Sequence, residues 1–170
     1  MLKRSMPRWP EPDWKPVQPF PFAAARGAFA GMTSSEGRIV IRYYRRPDGI
    51  LVATAEFGAL SEGAPGLVHG GAILTALDEA LGAAAWLAGR RCMTARLTTE
   101  FRKGTPLGAE LLVVTRIVAS RRRLIDLTGE LVGPTGTVYA AAHGRFMELE
   151  EAQLARIFGR SAPSKTQDRS

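Results

Sequence analysis

The chain predicts an α+β domain in which one long, nearly apolar helix lies against an antiparallel sheet. Three observations predict it. The run 70–88 is dominated by Ala and Leu, two strand-like stretches precede it, and four more follow it with turn signals between them.

The elements follow in chain order. Residues 1–22 hold prolines 7, 10, 12, 16, 19 and 21, which remove backbone donors and favour extended conformations, so this is a proline-rich arm. Its Trp9, Trp14, Phe20 and Phe22 fit packing across the domain or a partner subunit; the alternative is a loose extension. The domain itself is expected over 23–159. Arg38 to Arg46 and Ile50 to Phe57 flank Pro47-Asp48-Gly49, a turn sequence, and predict a hairpin. A Gly- and Pro-containing loop, Ser61 to Gly66, leads into the helix, whose first turns carry only Thr75, Asp78 and Glu79 as polar side chains. A helix with so little polar surface is expected to be surrounded by protein.

After the helix, Met93 to Arg102 alternates Met93, Ala95, Leu97, Thr99 and Phe101 against Thr94, Arg96, Thr98, Glu100 and Arg102, the pattern of a strand with one buried face. Leu111 to Ala119, Leu124 to Val132 and Thr137 to Glu148 complete the strands, with turns at Ser120 to Arg123 and Gly133 to Gly136. A short helix is expected over Leu149 to Phe158, then a disordered polar tail, 160–170. No internal repeat is evident.

At 170 residues the chain fits one domain that can bury a core. A net charge of +7 favours polyanionic ligands, among them phosphorylated cofactors. The turn arginines lack interleaved exposed aromatics, which argues against nucleic acid. Cys92 is the single cysteine, so no intrachain disulfide forms and a reducing compartment is the simpler expectation. The opening MLKRSMPRWP is basic without an apolar core segment, so export is not expected, and the location is read as cytoplasmic. The run 70–89 has Asp78 and Glu79 at its centre, each costing about 2.5 kcal/mol or more in lipid, which argues against a membrane span.

Chemistry concentrates at Pro65-Gly66-Leu67-Val68-His69-Gly70-Gly71, where the helix begins. Glycines there let a backbone approach a ligand, and the free amides of a helix N-terminus favour negative charge. An oxyanion hole has these needs; close packing at a loop-to-helix junction is the bland alternative. Asp78 follows mid-helix among apolar neighbours, where burial raises a carboxylate's pKa and suits it to act as a base. Glu79 points about 100° away, so the two carboxylates do not serve one site equally. Asp78 also lies about 12 Å along the axis from Gly70 at ~1.5 Å per residue, too far to act on a carbonyl held there. If both belong to one site, two subunits supply them.

Gly66 to Gly71 with Ile73, Leu74 and Leu77, then Asp78-Glu79-Ala80-Leu81-Gly82, Thr94 to Leu97 and Phe101, resemble the hotdog-fold thioesterase superfamily, in its phenylacetyl-CoA-type and THEM-like branches. The resemblance covers about residues 37–148. It implies a hotdog fold, a central helix wrapped by a curved antiparallel sheet, with two protomers joined edge to edge and active sites at their interface, as a dimer or a dimer of dimers. It further implies an acyl-CoA substrate and hydrolysis of its thioester without a metal or added cofactor. Asp78 matches the general base or nucleophile, Gly70 the amide that polarises the carbonyl, His69 the histidine that orients the site, and Thr94 the residue that positions water. Where some relatives carry an Asn before the motif, this chain has Glu62-Gly63-Ala64.

Gly71 is a further substrate-binding candidate, and Arg102-Lys103 and Arg121-Arg122-Arg123 could clamp the phosphates of CoA. Solvated charge runs, a packing role for His69 and a sheet-surface role for Thr94 are the alternatives. His143, among small residues, is read as a satisfied structural histidine. A hotdog hydratase or dehydratase and a non-catalytic acyl-CoA-binding protein are the competing functions.

Overall fold

The structure, a computed structural model, describes residues 9–20 and 39–158. Of the expected segments, 1–8 and 21–22 of the arm, 23–38 and 159 of the domain, and the tail 160–170 lie outside the described residues. The strands are β1 Lys15–Pro16, β2 Ile39–Arg45, β3 Leu51–Phe57, β4 Cys92–Phe101, β5 Leu111–Arg121, β6 Leu124–Val132 and β7 Val138–Glu148. The helices are α1 Gly70–Leu87 and α2 Glu151–Phe158. All strands pair antiparallel in one sheet of order β1-β2-β3-β5-β6-β7-β4, with α1 lying across its concave face, the hotdog arrangement.

Small residues let the sheet close on the helix. Ala76, Ala80, Ala83 and Ala85 of α1 are fully buried beside Leu77 and Leu81. On the strands facing them, a Cβ at Gly129 would stand 3.1 Å from the Leu81 side chain, and one at Gly144 would stand 2.6 Å from the Phe146 ring. Phe146 itself is buried, a contribution of about 1.5–3 kcal/mol in transfer terms.

The described part of the arm packs on the domain. β1 pairs with the outer edge of β2, and Val17 N–H donates to the Tyr43 carbonyl at 3.0 Å. Trp14 covers Val52 and Leu112 on the sheet face turned away from α1. Phe20 lies on the helix side, edge-on to Tyr43 and Trp86 with ring centroids 6.0 and 5.9 Å away. The arm therefore crosses from one face of the sheet to the other around β2.

Four expectations need correction. Strand β4 has no fully buried face: only Cys92 is buried, while Met93 and Phe101 are 57% and 55% exposed, because β4 ends the sheet with no strand on its outer side, although α1 packs against it. Nor is α1 enclosed all round, since Gly71 and Leu74 stand exposed on the flank nearest β4. His143 points to the convex face and is exposed, because the small residues that suggested burial, Ala142 and Gly144, alternate with it toward the helix. The turn expected at Ser120 to Arg123 is also shorter, with β5 running to Arg121 and Arg122 at φ 51°.

Candidate active site

The loop before α1 is fixed by its own hydrogen bonds. Glu62, where an Asn was absent, accepts from Gly66 N–H at 2.6 Å, and Gly66 takes φ +74°, a value that favours glycine. His69 N–H donates to Ser61 and Val68 N–H to Thr105, at 2.7 and 2.9 Å.

His69 is the N-cap of α1, with Nδ1 accepting from Gly71 N–H at 2.9 Å. The bond assigns the neutral ring's proton to Nε2, which is left to donate outward. Gly71 leaves room for this cap, since a Cβ there would lie 3.0 Å from Nδ1. The amides of Ala72 and Ile73 bond the His69 carbonyl at 2.9 and 3.2 Å. Of the four amides that a helix start leaves without α-helical partners, only Gly70 N–H then has no acceptor among the described residues. It opens beside a pocket of about 420 Å³ whose wall includes Leu67, His69, Ile73, Phe101, Arg102 and Lys103. The helix dipole favours a negative oxygen here.

Asp78 is outside that pocket, two turns along α1. Thr94 Oγ1 donates to its Oδ1 at 2.8 Å. Burial pushes the Asp78 carboxyl above its usual range and the Thr94 bond partly opposes the rise. A β-bulge makes the contact possible: Thr94 stands opposite Phe146 and Arg96 opposite Arg145, so Ala95 is an extra residue. Thr94 thereby faces α1 with Leu97, Thr99 and Phe101, not away from them as strict alternation predicted.

Glu79 turns to the other side, where Tyr43 Oη donates to it at 3.4 Å. Burial raises Glu79 first and the Asp78 charge second, and burial raises Tyr43 well above its ordinary value. Tyr43 is the contact sequence reasoning missed; it sits on β2, with no local signal tying it to the helix. Cys92 is buried and its thiol is pushed up to about 12, chiefly by burial, so it is no thiolate at neutral pH.

The two basic clusters separate. Arg102 and Lys103 line the His69–Gly70 pocket, Arg102 with long ion pairs to Glu100 and Glu130 at 3.5 and 3.7 Å. Arg121, Arg122 and Arg123 lie at the other end of α1, where Arg90, just past the helix, bonds Ser120 Oγ and the Arg122 carbonyl. Arg123 is already engaged with Glu148, Glu150 and Gln153. One chain thus presents a donor end at Gly70 and a carboxylate end at Asp78 on one open flank.

Comparison with known proteins bears on the family and the fold. Residues 65–145 match the family model described as Thioesterase superfamily. A Xenopus laevis protein named acyl-coenzyme A thioesterase THEM4 is 32% identical over 75 residues, 44% of this chain and 34% of that protein. The chain spans between about a third and a half of the length of the curated relatives it matches. A solved thioesterase superfamily protein superposes with a TM-score of 0.61 at 29% identity, covering 64% of this chain and 54% of that one. A hypothetical thioesterase from Streptococcus pneumoniae, solved with coenzyme A, shares the fold at a TM-score of 0.59 and 20% identity, over 66% of this chain and 86% of that one. Over the matched segment 65–145, just under half of its length, the chain is similar to the thioesterase superfamily, and the architecture around that segment is the hotdog fold.

Proposed function

We propose that the chain hydrolyses an acyl-CoA thioester to the free acid and CoA, with no cofactor beyond the substrate's own CoA. The observation that carries this reading is the Gly70 amide, unpartnered among the described residues at a dipole-positive helix end, presented on the same open flank as a half-buried carboxylate of raised pKa. Gly70 N–H holds the thioester oxygen as it becomes negative, a contribution of roughly 3 kcal/mol in comparable sites. Asp78 either draws the proton from a water that Thr94 helps to place or attacks the carbonyl itself. The tetrahedral intermediate then expels the CoA thiolate, leaving the free acid when water attacked, or an Asp78 acyl anhydride that water must hydrolyse when Asp78 attacked. His69 donates through Nε2 and cannot serve as a base while Nδ1 holds Gly71, which favours hydrolysis over the hydratase alternative.

Gly70 and Asp78 of one chain are two turns apart, so each site takes its amide from one subunit and its carboxylate from another, in a dimer or a dimer of dimers. Names among the relatives and the CoA-bound neighbour support an acyl-CoA ligand. Arg102 and Lys103 are placed for its phosphates, while Arg121 and Arg122 carry any contact the β5–β6 turn makes. We further place the protein in the cytoplasm, without nucleic acid or membrane as partner.

The test is CoA release from short, medium, long and aryl acyl-CoA by the wild type, Asp78→Asn and Asp78→Ala. A loss of about 10²- to 10⁴-fold in both variants is expected for removal of a general base. Wild-type-like release by both sinks the mechanism. Binding of acyl-CoA without release from any of them favours the non-catalytic reading.

A further inference from the structure

Two buried side-chain hydroxyls lack a hydrogen-bond partner among the described residues, those of Thr99 and Thr105, and of these only Thr105 belongs to a residue that is itself buried, at 1% exposure. We infer that Thr105 selects the acyl group: its hydroxyl binds a neutral oxygen, hydroxyl or keto, that a short acyl-CoA carries a few carbons from its thioester. The inference rests on the thioesterase reading only in placing the thioester oxygen on Gly70; the unsatisfied hydroxyl has its own grounds.

A threonine hydroxyl buried without a partner loses its hydration and gains nothing in return, whereas valine fills the same shape at no such cost. The contrast within the core is Thr115, also buried, whose Oγ1 donates to the Leu51 carbonyl at 2.7 Å. Thr105 has no such acceptor among the described residues, yet its backbone is fixed. Its carbonyl accepts from Val68 N–H at 2.9 Å, Leu107 N–H donates to the Gly66 carbonyl at 2.9 Å, and Leu67 bridges to Pro106. The residue is thus fastened on both sides to the loop that ends in His69 and Gly70. A fixed polar group left unpaired in this way is what a binding site holds ready for its ligand.

Thr105 lines the same pocket of about 420 Å³ beside which the Gly70 amide opens, a volume in the range of small-molecule sites. The pocket is graded: Phe101, Arg102 and Lys103 are exposed at its rim, whereas Val68, Ile73 and Thr105 are buried. The cationic rim suits the charged end of CoA, so the uncharged acyl group takes the buried wall. Val68 and Ile73 make that wall apolar, and Thr105 adds one hydroxyl, which donates to a keto oxygen or exchanges a bond with another hydroxyl. The Thr105 main chain bonds Val68, two residues before Gly70, so an oxygen within its reach sits only a few carbons from the thioester carbon. An unsubstituted chain of the same length leaves the hydroxyl unpaired, and the penalty falls on that ester.

The test measures kcat/KM for CoA release from 3-hydroxybutanoyl-, 3-oxobutanoyl- and 5-hydroxyhexanoyl-CoA against butanoyl- and hexanoyl-CoA, in the wild type, Thr105→Val and Thr105→Ser. The wild type should favour at least one oxygenated ester about tenfold or more over its plain counterpart. Thr105→Val should bring that ratio near to one, and Thr105→Ser should keep it. No preference in the wild type, or one that survives in Thr105→Val, overturns the inference. An equal loss on every ester assigns the hydroxyl to the pantetheine amides and overturns it too. Thermal unfolding without ligand gives a second reading: Thr105→Val should match or exceed the wild-type Tm, whereas Thr115→Val should fall below it. A Thr105→Val Tm below that of the wild type means that the hydroxyl has a structural partner, an ordered water included, and overturns the assignment. Asp78-dependent release without an acyl preference overturns this inference alone. If no ester releases CoA, the hydrolysis fails, and the ratio is read in Kd by calorimetry: a preference that Thr105→Val removes upholds the pocket assignment, and its absence overturns it.

Discussion

The two flanks of the sheet are built to different standards. Around β2, β3 and the first half of β5 both faces are covered: α1 packs on one, Trp14 on the other, and Val52, Ala53 and Val113 are fully buried. Around β4 neither face is finished, and the exposed side chains include Met93, Phe101 and, on the neighbouring helix flank, Leu74. The residues with chemistry, Gly70, Asp78 and Thr94, all belong to the unfinished flank. The closed half supplies the stability that lets the other half keep an edge, a free amide and a costly carboxylate.

The sharpest way to break this division is to ask whether the open flank works alone. Gly70→Pro deletes the one free amide with little strain, since Pro suits the first helical position and His69 before it is already extended at ψ 136°. Gly70→Pro and Asp78→Asn homodimers should each lose two orders of magnitude or more in CoA release. Refolded together, half the dimers are mixed and each keeps one intact shared site, so about a quarter of wild-type activity should return. No recovery in well-folded mixed dimers places both groups of a site in one chain.

Stability should divide the same way. Phe146→Ala opens a hole between Gly144, Leu81 and α1 and should lower the unfolding free energy by about 3–5 kcal/mol. Met93→Ala, on the exposed edge, should cost at most about 0.5 kcal/mol when unfolding starts from the monomer. Chemical denaturation of both reads this difference. Equal costs would mean that β4 is as structural as β7.

How much of this was legible in the sequence follows the same boundary. The interior was readable because local patterns decide it: the Ala/Leu run gave α1, β6 begins and ends where expected, and Gly49 turns at φ 84° after Pro47-Asp48. The helical spacing of Gly70 and Asp78, two turns apart on α1, was legible too. The open flank was not readable, since exposure of β4 depends on which strand is last in the sheet. The bulge at Ala95 arises only from pairing with β7, so strict alternation put Thr94 on the wrong face. His69 as a cap and Gly71 as its clearance needed three-dimensional contact to be seen.

His69 sharpens the comparison further because it has one foot in each role, holding the helix with Nδ1 and facing the pocket with Nε2. Asn places its carbonyl oxygen near the Nδ1 position and can keep the cap, whereas Gln places its amide nitrogen near Nε2 and can keep only the donor. If the outward donor matters to the reaction, His69→Gln should retain about tenfold more kcat than His69→Asn, though it loses about 1 kcal/mol of cap stability. The reverse order in kcat would make His69 a structural residue of the loop. A KM change alone, with kcat preserved in both, would confine it to binding.

The smallest effect expected is a pH dependence of stability carried by the two half-buried carboxyls. Asp78 and Glu79 both have raised folded-state pKa values, chiefly through burial, so folding favours their protonated forms. Such a group contributes its stability fully below the unfolded carboxylate value, and that contribution is lost as pH rises through the folded one. Neutral isosteres remove the penalty, so Asp78→Asn and Glu79→Gln should each raise Tm slightly at neutral pH and do little in acid. In the wild type the same shift places the acid limb of CoA release above the ordinary carboxylate range. Thr94→Val removes the bond that lowers the Asp78 pKa and should move that limb to higher pH. An acid limb at the usual carboxylate value, with Asp78→Asn no more stable than wild type at neutral pH, would mean that the open flank hydrates Asp78 and holds no stored cost for the closed half to offset.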